Sequence, residues 1–398
     1  MKMSFRLNSN IVQWLLLLLF PLGFVFESCV MAVLLLNYRW CNVVRILFLS
    51  LLLLAHFSIT ILLYDYSLKK PAEQILLITV YFLGYSVFFK HCVNDIDSIW
   101  NKYLRVCEFF SLLAIIQLCF MVILNIDPFY FATLKETYET NSIMHIRLHA
   151  YFGEPGPFAM FLLPYITYGF FTMKYKGVKK SRFFFVAFVF SLTFSAMGYL
   201  MLFLILLYKW CKSKSVLKIF AISGGLVLLN IVISNGSNSQ IKADTNQLDA
   251  SLIKISDTFT AFKNVDPGMF EVLNLSSYAT LSNLWVSFNA PNRIIGTGIG
   301  THSESYSRIY KSDFSHYGLN QHDAYSILIR VFSEFGFIGI SILFLFLYRL
   351  FNRLNIINIS ILPYLLAHLI RGGHYTINGM FFFCMLYYLT SKTDRNER

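Results

Sequence analysis

The sequence predicts an all-α polytopic membrane protein with one large loop on the far side of the bilayer. Hydrophobic residues make up 57% of the 398 residues and charged residues only 14%, whereas soluble domains carry about a quarter charged residues. The apolar residues form blocks long enough to cross a hydrocarbon core of about 30 Å. We therefore expect about ten to twelve transmembrane helices that share their core with lipid.

The apolar blocks divide the chain into six segments. They are the N-terminal spans (1–126), a first polar segment (127–156), central spans (157–234), a large polar loop (235–322), the last spans (323–391) and a tail (392–398). The apolar blocks themselves are 11–36, 43–63, 72–89, 103–126, 156–173, 183–208, 216–234, 324–348, 356–370 and 375–390.

Positive charge indicates the orientation of these spans. Two runs of lysine and arginine without acids, at 174–182 and 209–218, flank the block 183–208, and such runs are typical of cytoplasmic loops. A single helix would put the two runs on opposite sides of the membrane. Two short helices that turn near 195–198 reconcile the charges and are favoured, although helices this short require protein or water as neighbours.

The hairpin arrangement places both polar segments, 127–156 and 235–322, in the same outer compartment. The turn that carries Arg371 faces that compartment too, so we expect any chemistry to be assembled there. The net charge of +12 comes largely with the cytoplasmic runs, and no motif indicates a nucleic-acid partner.

Two stretches carry polar residues at the predicted outer end of a span. In the first, Arg147 precedes G-E-P-G-P-F-A, which places Glu154 just before a helix. An arginine fork suits a phosphate, but the stretch also fits an ordinary helix start with a snorkelling arginine. In the second, H-D-A-Y-S, His322 fits either a general base or a plain surface histidine.

Two further patterns are superficially like metal sites. Asp95-Ile96-Asp97 forms a D-x-D, but it lies on the predicted inner side, away from the other polar segments. His145 and His149 are four residues apart, yet no third ligand follows them. The cysteines form no C-x-x-C pair and none lies in 235–322. We therefore expect neither a metal site nor a disulfide framework in the loop.

The order of these features resembles that of the bacterial O-antigen polymerases, the Wzy type within the O-antigen ligase-like superfamily. An outer arginine precedes G-E-P-G-P-F-A, a short pair of spans carries T-F-S-A-M-G at 193–198, and a large loop ends in a G-x-G turn. H-D-A-Y-S and S-E-F-G-F-I-G then lead into a span, so the resemblance covers about residues 145–345. Ala196 stands where the superfamily often has arginine, and Asp323 where asparagine is common.

The resemblance implies a metal-independent glycosyltransferase, without a cofactor, in the bacterial inner membrane. Such an enzyme joins undecaprenyl-diphosphate-linked oligosaccharide repeat units on the periplasmic face, with a chain-length regulator and a flippase as partners in the bilayer. His322 is the implied acid/base residue and Glu154 the second candidate, while the diphosphate is bound by Arg147, Arg293, Arg330 and Arg371. The alternatives are an O-antigen ligase acting on lipid A–core and a flippase or transporter of the lipid-linked oligosaccharide.

Overall fold

The computed structural model describes residues 8–22, 24–38, 42–124, 126–129, 148–172, 178–211, 267–273, 275–351, 355–376 and 379–396. All regular structure in these residues is helical, with thirteen α-helices and two short 3-10 helices. Four α-helices are long and apolar enough to cross a membrane, and five shorter apolar helices accompany them. The predicted span 216–234 and the first part of the large loop lie outside the described residues.

The first helices follow the predicted apolar blocks: α1 (Ser9–Leu19), α2 (Phe24–Asn37), α3 (Val43–Tyr64), α4 (Lys69–His91) and α5 (Ile96–Leu124). The block 11–36 is split in two because Pro21, which has no N–H to donate, lies in a 3-10 turn at Phe20–Leu22. Asp95 accepts hydrogen bonds from the N–H groups of Asp97 (3.1 Å) and Ser98 (3.0 Å). The D-x-D stretch therefore caps the start of α5.

The remaining helices are α6 (Pro155–Thr172), α7 (Lys180–Ser191), α8 (Ala196–Cys211), α9 (Leu275–Phe288), α10 (His302–Ile309), α11 (Ile327–Phe351), α12 (Ile356–Ile370) and α13 (Met380–Asn396). The block 183–208 is interrupted at 192–195, next to the turn expected at 195–198. Phe194 has a φ of 45° there, and Ser195 Oγ accepts from the N–H of Gly198 at 3.2 Å. Ser195 therefore caps the N-terminus of α8, directly after the chain reversal.

One large core joins most of these helices, and α6 packs most extensively against α12. Lipid tails are as apolar as leucine, so close packing rather than withdrawal from water holds such helices together. The core is rich in aromatic rings that meet edge to face, as Tyr103 and Phe161 do at 5.3 Å between centroids. A separate small core lies in the described part of the large loop and contains Phe270, Tyr278, Leu281, Val286, Tyr306 and Tyr310.

Helix α11 is broken at Gly336, which has a φ of 60° and a ψ of −156°, a conformation open almost only to glycine. The two halves are not collinear. A β-carbon on Gly339 would lie 3.0 Å from Val331 Cγ1, although eight residues span about 12 Å along a straight helix. The block 324–348, expected as one span, is therefore two helical segments joined by a sharp bend.

The loop segment 293–298 supplies hydrogen-bond partners to the backbone at this break. Backbone groups inside a membrane protein must find such partners, because each unsatisfied one costs several kcal/mol. Four main-chain bonds join the two segments: Phe337 N–H to Arg293 O (2.8 Å), Ile338 N–H to Ile294 O (3.1 Å), Thr297 N–H to Ser333 O (3.0 Å) and Gly298 N–H to Glu334 O (2.9 Å). The large loop is thereby attached directly to α11.

Candidate functional site

The large loop meets the last helices at a buried ion pair. Arg330 and Glu334 lie four residues apart on α11, and their side chains are only 2% and 0% exposed. Arg330 Nε donates to Glu334 Oε1 at 2.9 Å. Desolvating two charges costs several kcal/mol, so a pair like this needs further hydrogen bonds around it.

The turn between α12 and α13 provides those bonds. Arg330 Nη1 donates to the carbonyl of Gly373 at 3.1 Å, and the guanidinium carbon lies 4.2 Å from the centre of the Tyr375 ring. The Tyr375 hydroxyl donates to Glu334 Oε2 at 2.7 Å. Burial, followed by the nearby charge of Glu334, raises the pKa of Tyr375 well above its ordinary value, so the hydroxyl keeps the proton that it donates.

His302, at the start of α10, lies next to this cluster and is fully buried. Its Nε2 is 2.9 Å from Asn283 Oδ1, and its Nδ1 is 2.8 Å from Ser333 Oγ. Burial and the charge of Arg330 lower the pKa of His302 to about 3, so the ring is neutral. Because the amide oxygen only accepts, the proton lies on Nε2, and Nδ1 accepts from the Ser333 hydroxyl.

His322 lies beside α10 and is exposed to solvent. Its Nδ1 is 3.1 Å from Ser303 Oγ, a side chain that directly follows His302 in the chain. The next residue, Asp323, packs against Gly373 so closely that a β-carbon on Gly373 would lie 1.4 Å from the Asp323 carbonyl oxygen. The position of His322 is thus set from the loop on one side and from the α12–α13 turn on the other.

The backbone after His322 is strained. Ala324 and Tyr325 have φ angles of 56° and 63°, which cost on the order of 1–3 kcal/mol for residues other than glycine. The carbonyl of Tyr325 accepts from the N–H of Gly372 at 2.9 Å, and its ring lies 6.0 Å from the guanidinium carbon of Arg371. Strain of this kind persists only where surrounding contacts hold it, as they do here.

No family model, curated protein or solved structure matches this chain. The predicted site residues are therefore judged by their geometry. Arg330, Arg371 and His322 lie in the one region where α11, the large loop and the α12–α13 turn meet. Arg147 lies outside the described residues.

The two other predicted residues, Arg293 and Glu154, accept hydrogen bonds at their backbone carbonyls. Arg293 has an exposed side chain, and it is its carbonyl that bonds to α11 at the break. Glu154 is half-buried directly before α6, and its carbonyl accepts the N–H of Phe158 at 3.5 Å. Among the cations, Arg330 contacts protein groups through its guanidinium, whereas Arg371 is only half-buried and is better placed to meet a ligand.

A second polar cluster holds the segment that precedes α6. His149 Nε2 pairs with Asp127 Oδ2 at 2.8 Å, and Gln117 Oε1 accepts from the N–H groups of His149 (3.1 Å) and Ala150 (3.0 Å). Burial acts to raise the pKa of Asp127, but its hydrogen bonds, with that from His149 foremost, outweigh burial and lower this pKa. His149 therefore has a structural partner in a carboxylate and fixes the backbone just before Glu154.

The sequence motifs predicted no role for His302, Ser303 or Tyr375, and they included Glu334 only within S-E-F-G-F-I-G. Glu334 did carry a signal, because an arginine and a glutamate four residues apart within an apolar block tend to pair. His302 carried none, since its partners come from α9 and α11 and only the fold brings them together.

Proposed function

We propose that this protein is a polysaccharide polymerase of the O-antigen type, acting on the periplasmic face of a bacterial inner membrane. It would join oligosaccharide repeat units carried on undecaprenyl diphosphate. One observation carries the proposal: the H-D-A-Y loop, the G-x-G segment and the turn bearing Arg371 meet around the buried Arg330–Glu334 pair. The family resemblance rests on the order of these segments, and their contact with each other supports a shared site.

The proposed donor needs positive charge where its diphosphate leaves. Arg371 follows the last residue of α12, and its planar guanidinium suits bidentate binding of phosphate. Arg330 lies deeper, paired with Glu334, while Arg147 and Arg293 are the further predicted ligands. Preorganised donors at a leaving group are each worth about 10²–10³ in rate.

His322 is the proposed acid/base residue, with Glu154 as the second candidate. The imidazole takes the proton of an acceptor sugar hydroxyl as that oxygen forms a bond to the anomeric carbon of the donor. The bond from this carbon to the diphosphate oxygen breaks, and the diphosphate leaves with the electron pair. The exposure of His322 supports this role, because an acceptor sugar must reach its ring.

An apolar groove beside Arg371 suits the lipid part of such a donor. It lies between α11 and α12, has a volume of about 420 Å³ and is lined by Leu328, Phe344, Leu347, Tyr348, Leu366, Leu369 and Ile370. Ile370, which lines the groove, directly precedes Arg371, so a lipid chain bound there would lie close to the turn that carries this arginine.

The proposal is tested by a lipopolysaccharide gel from a strain that lacks the protein. We expect core carrying a single repeat unit and no ladder, because assembly and ligation continue without polymerisation. Core without any repeat unit would indicate the ligase or flippase alternative. A normal ladder would exclude the protein from O-antigen assembly.

Complementation of the same strain tests the site. Arg371→Ala and His322→Ala should each reduce polymer yield by about 10²–10³ at wild-type protein levels. Lys311→Ala, which removes an exposed cation of the loop outside the proposed site, serves as the control and should restore the ladder. Wild-type chain length in both site variants would refute the assignment.

A further inference from the structure

We propose that Ser303 is a positioning residue that orients the imidazole ring of His322; this inference rests on the proposed function. Ser303 Oγ lies 3.1 Å from His322 Nδ1. The hydroxyl can accept from Nδ1–H or donate to Nδ1, so in either tautomer the bond fixes the direction in which the ring points. In the tautomer with its proton on Nδ1, the ring donates to Ser303 Oγ, and the unprotonated Nε2 takes the proton of the acceptor hydroxyl.

Helix α10 holds Ser303 in place through its buried side. The helix has eight residues and begins at His302. Both ring nitrogens of His302 are bonded, one to Asn283 on α9 and the other to Ser333 on α11. The Asn283 amide is itself oriented, because its nitrogen donates to Ala279 O at 2.6 Å. The first turn of α10 therefore has a defined rotation relative to α11.

The other side of α10 is attached to the turn between α3 and α4. Ser305 Oγ lies 2.9 Å from the Tyr66 hydroxyl, and Glu304 Oε2 accepts the N–H of Ser67 at 2.9 Å. Arg308 closes the contact by donating to the carbonyls at the end of α3. A helix bonded on two sides is a rigid support, which a positioning residue requires.

The imidazole of His322, by contrast, has few constraints of its own. Its backbone is held because Asp323 packs against Gly373, but its side chain is exposed. A solvent-exposed ring changes rotamer readily. The hydrogen bond to Ser303 is the contact that orients it towards a sugar.

The experiment measures repeat-unit transfer in membrane vesicles supplied with the lipid-linked repeat unit. Ser303→Ala should lower kcat about threefold to tenfold, the effect of one hydrogen bond, with KM for the lipid donor unchanged. Ser303→Thr keeps the hydroxyl and should restore the rate. Ser307→Ala removes an exposed hydroxyl of the same helix and should match wild type. All rates are normalised to the amount of monodisperse protein extracted from the vesicles.

A double mutant separates positioning from a structural effect. In the His322→Ala background, Ser303→Ala should cause no further loss, because its effect passes through the imidazole. A further loss as large as in the wild-type background would overturn the inference, as would a raised KM or a failure of threonine to rescue. If His322→Ala is fully active, the acid/base assignment and this inference both fail, while the gel of the deletion strain still decides the polymerase proposal.

Discussion

Arg330 and Glu334 are withdrawn from solvent almost completely, yet each keeps its charge partner. The pair persists because Gly373 accepts a second arginine N–H and Tyr375 donates to the second carboxylate oxygen. Removing one member of such a pair leaves a charge that is both buried and unpaired. A side-chain change in this cluster is therefore expected to lower stability strongly.

We expect Arg330→Ala to lower the free energy of unfolding by about 3–5 kcal/mol, because Glu334 then stays buried without a partner. Thermal unfolding of the detergent-solubilised protein measures the loss. Lys70→Ala is the control, since the Lys70–Glu73 pair is 59% and 50% exposed and should contribute about 0–1 kcal/mol. Equal small losses in both variants would show that Glu334 is neutral or hydrated.

Two helices, α11 and α10, determine the shape of the site. Helix α11 bends at Gly336, and the bend presents carbonyl and N–H groups that the segment 293–298 binds. Helix α10 then connects α3, α9, α11 and the α3–α4 turn. At α3, Arg308 Nη1 donates to the carbonyl of Tyr64 (2.9 Å) and Nη2 to that of Asp65 (2.7 Å). These bonds satisfy carbonyl groups that the last turn of α3 leaves without helical partners.

Gly336→Ala should reduce stability by more than the 1–3 kcal/mol or so of backbone strain at such a φ. The added β-carbon would lie 2.4 Å from the carbonyl oxygen of Ile294, so the loop segment must also shift. Gly156→Ala is the matched control, because nothing lies within 4 Å of its added β-carbon. Unfolding temperatures of the two variants give the comparison, and an unchanged value for Gly336→Ala would show that the bend is not required.

For the molecule as a whole, the contacts of the large loop indicate which turns share one side of the membrane. Loop residues bond to the α3–α4 turn through Arg308 and Glu304, and His322 is held beside the α12–α13 turn through Asp323. These three regions therefore lie together. From the lysine-rich runs at 174–182 and 209–218, the sequence predicts that the loop lies on the side away from the cytoplasm.

Single cysteines in a cysteine-free background test this topology in intact cells. A membrane-impermeant thiol reagent should label Ser67→Cys and Ser315→Cys from outside, because both positions are exposed on the side of the loop. Ser98→Cys and Ser181→Cys are exposed at the other end of their helices and should react only after the membrane is opened. Labelling of Ser181→Cys in intact cells would contradict the two-helix arrangement of α7 and α8.

The sequence by itself predicted a protein of apolar helices, and four helices in the described residues are long and apolar enough to cross a membrane; the count of about ten to twelve spans stays a prediction. Lipid requires about 20 apolar residues per crossing and an internally bonded backbone, so composition and block length are enough. The family resemblance singled out Arg330, His322 and Arg371 among the candidate site residues, and their roles stay predictions. The sequence did not predict the break in the block 324–348, since apolar character alone does not show where a glycine bends a helix.

Only the tertiary structure decided how the site is held together. The His302 ring binds residues 19 and 31 positions away, and Arg330 binds a carbonyl 43 positions away. Contacts at such separations depend on how α9, α10, α11 and the α12–α13 turn pack, and local patterns of apolar and polar residues carry no record of that packing. The sequence supplied the polar groups, and the packing of the helices determined which of them became partners.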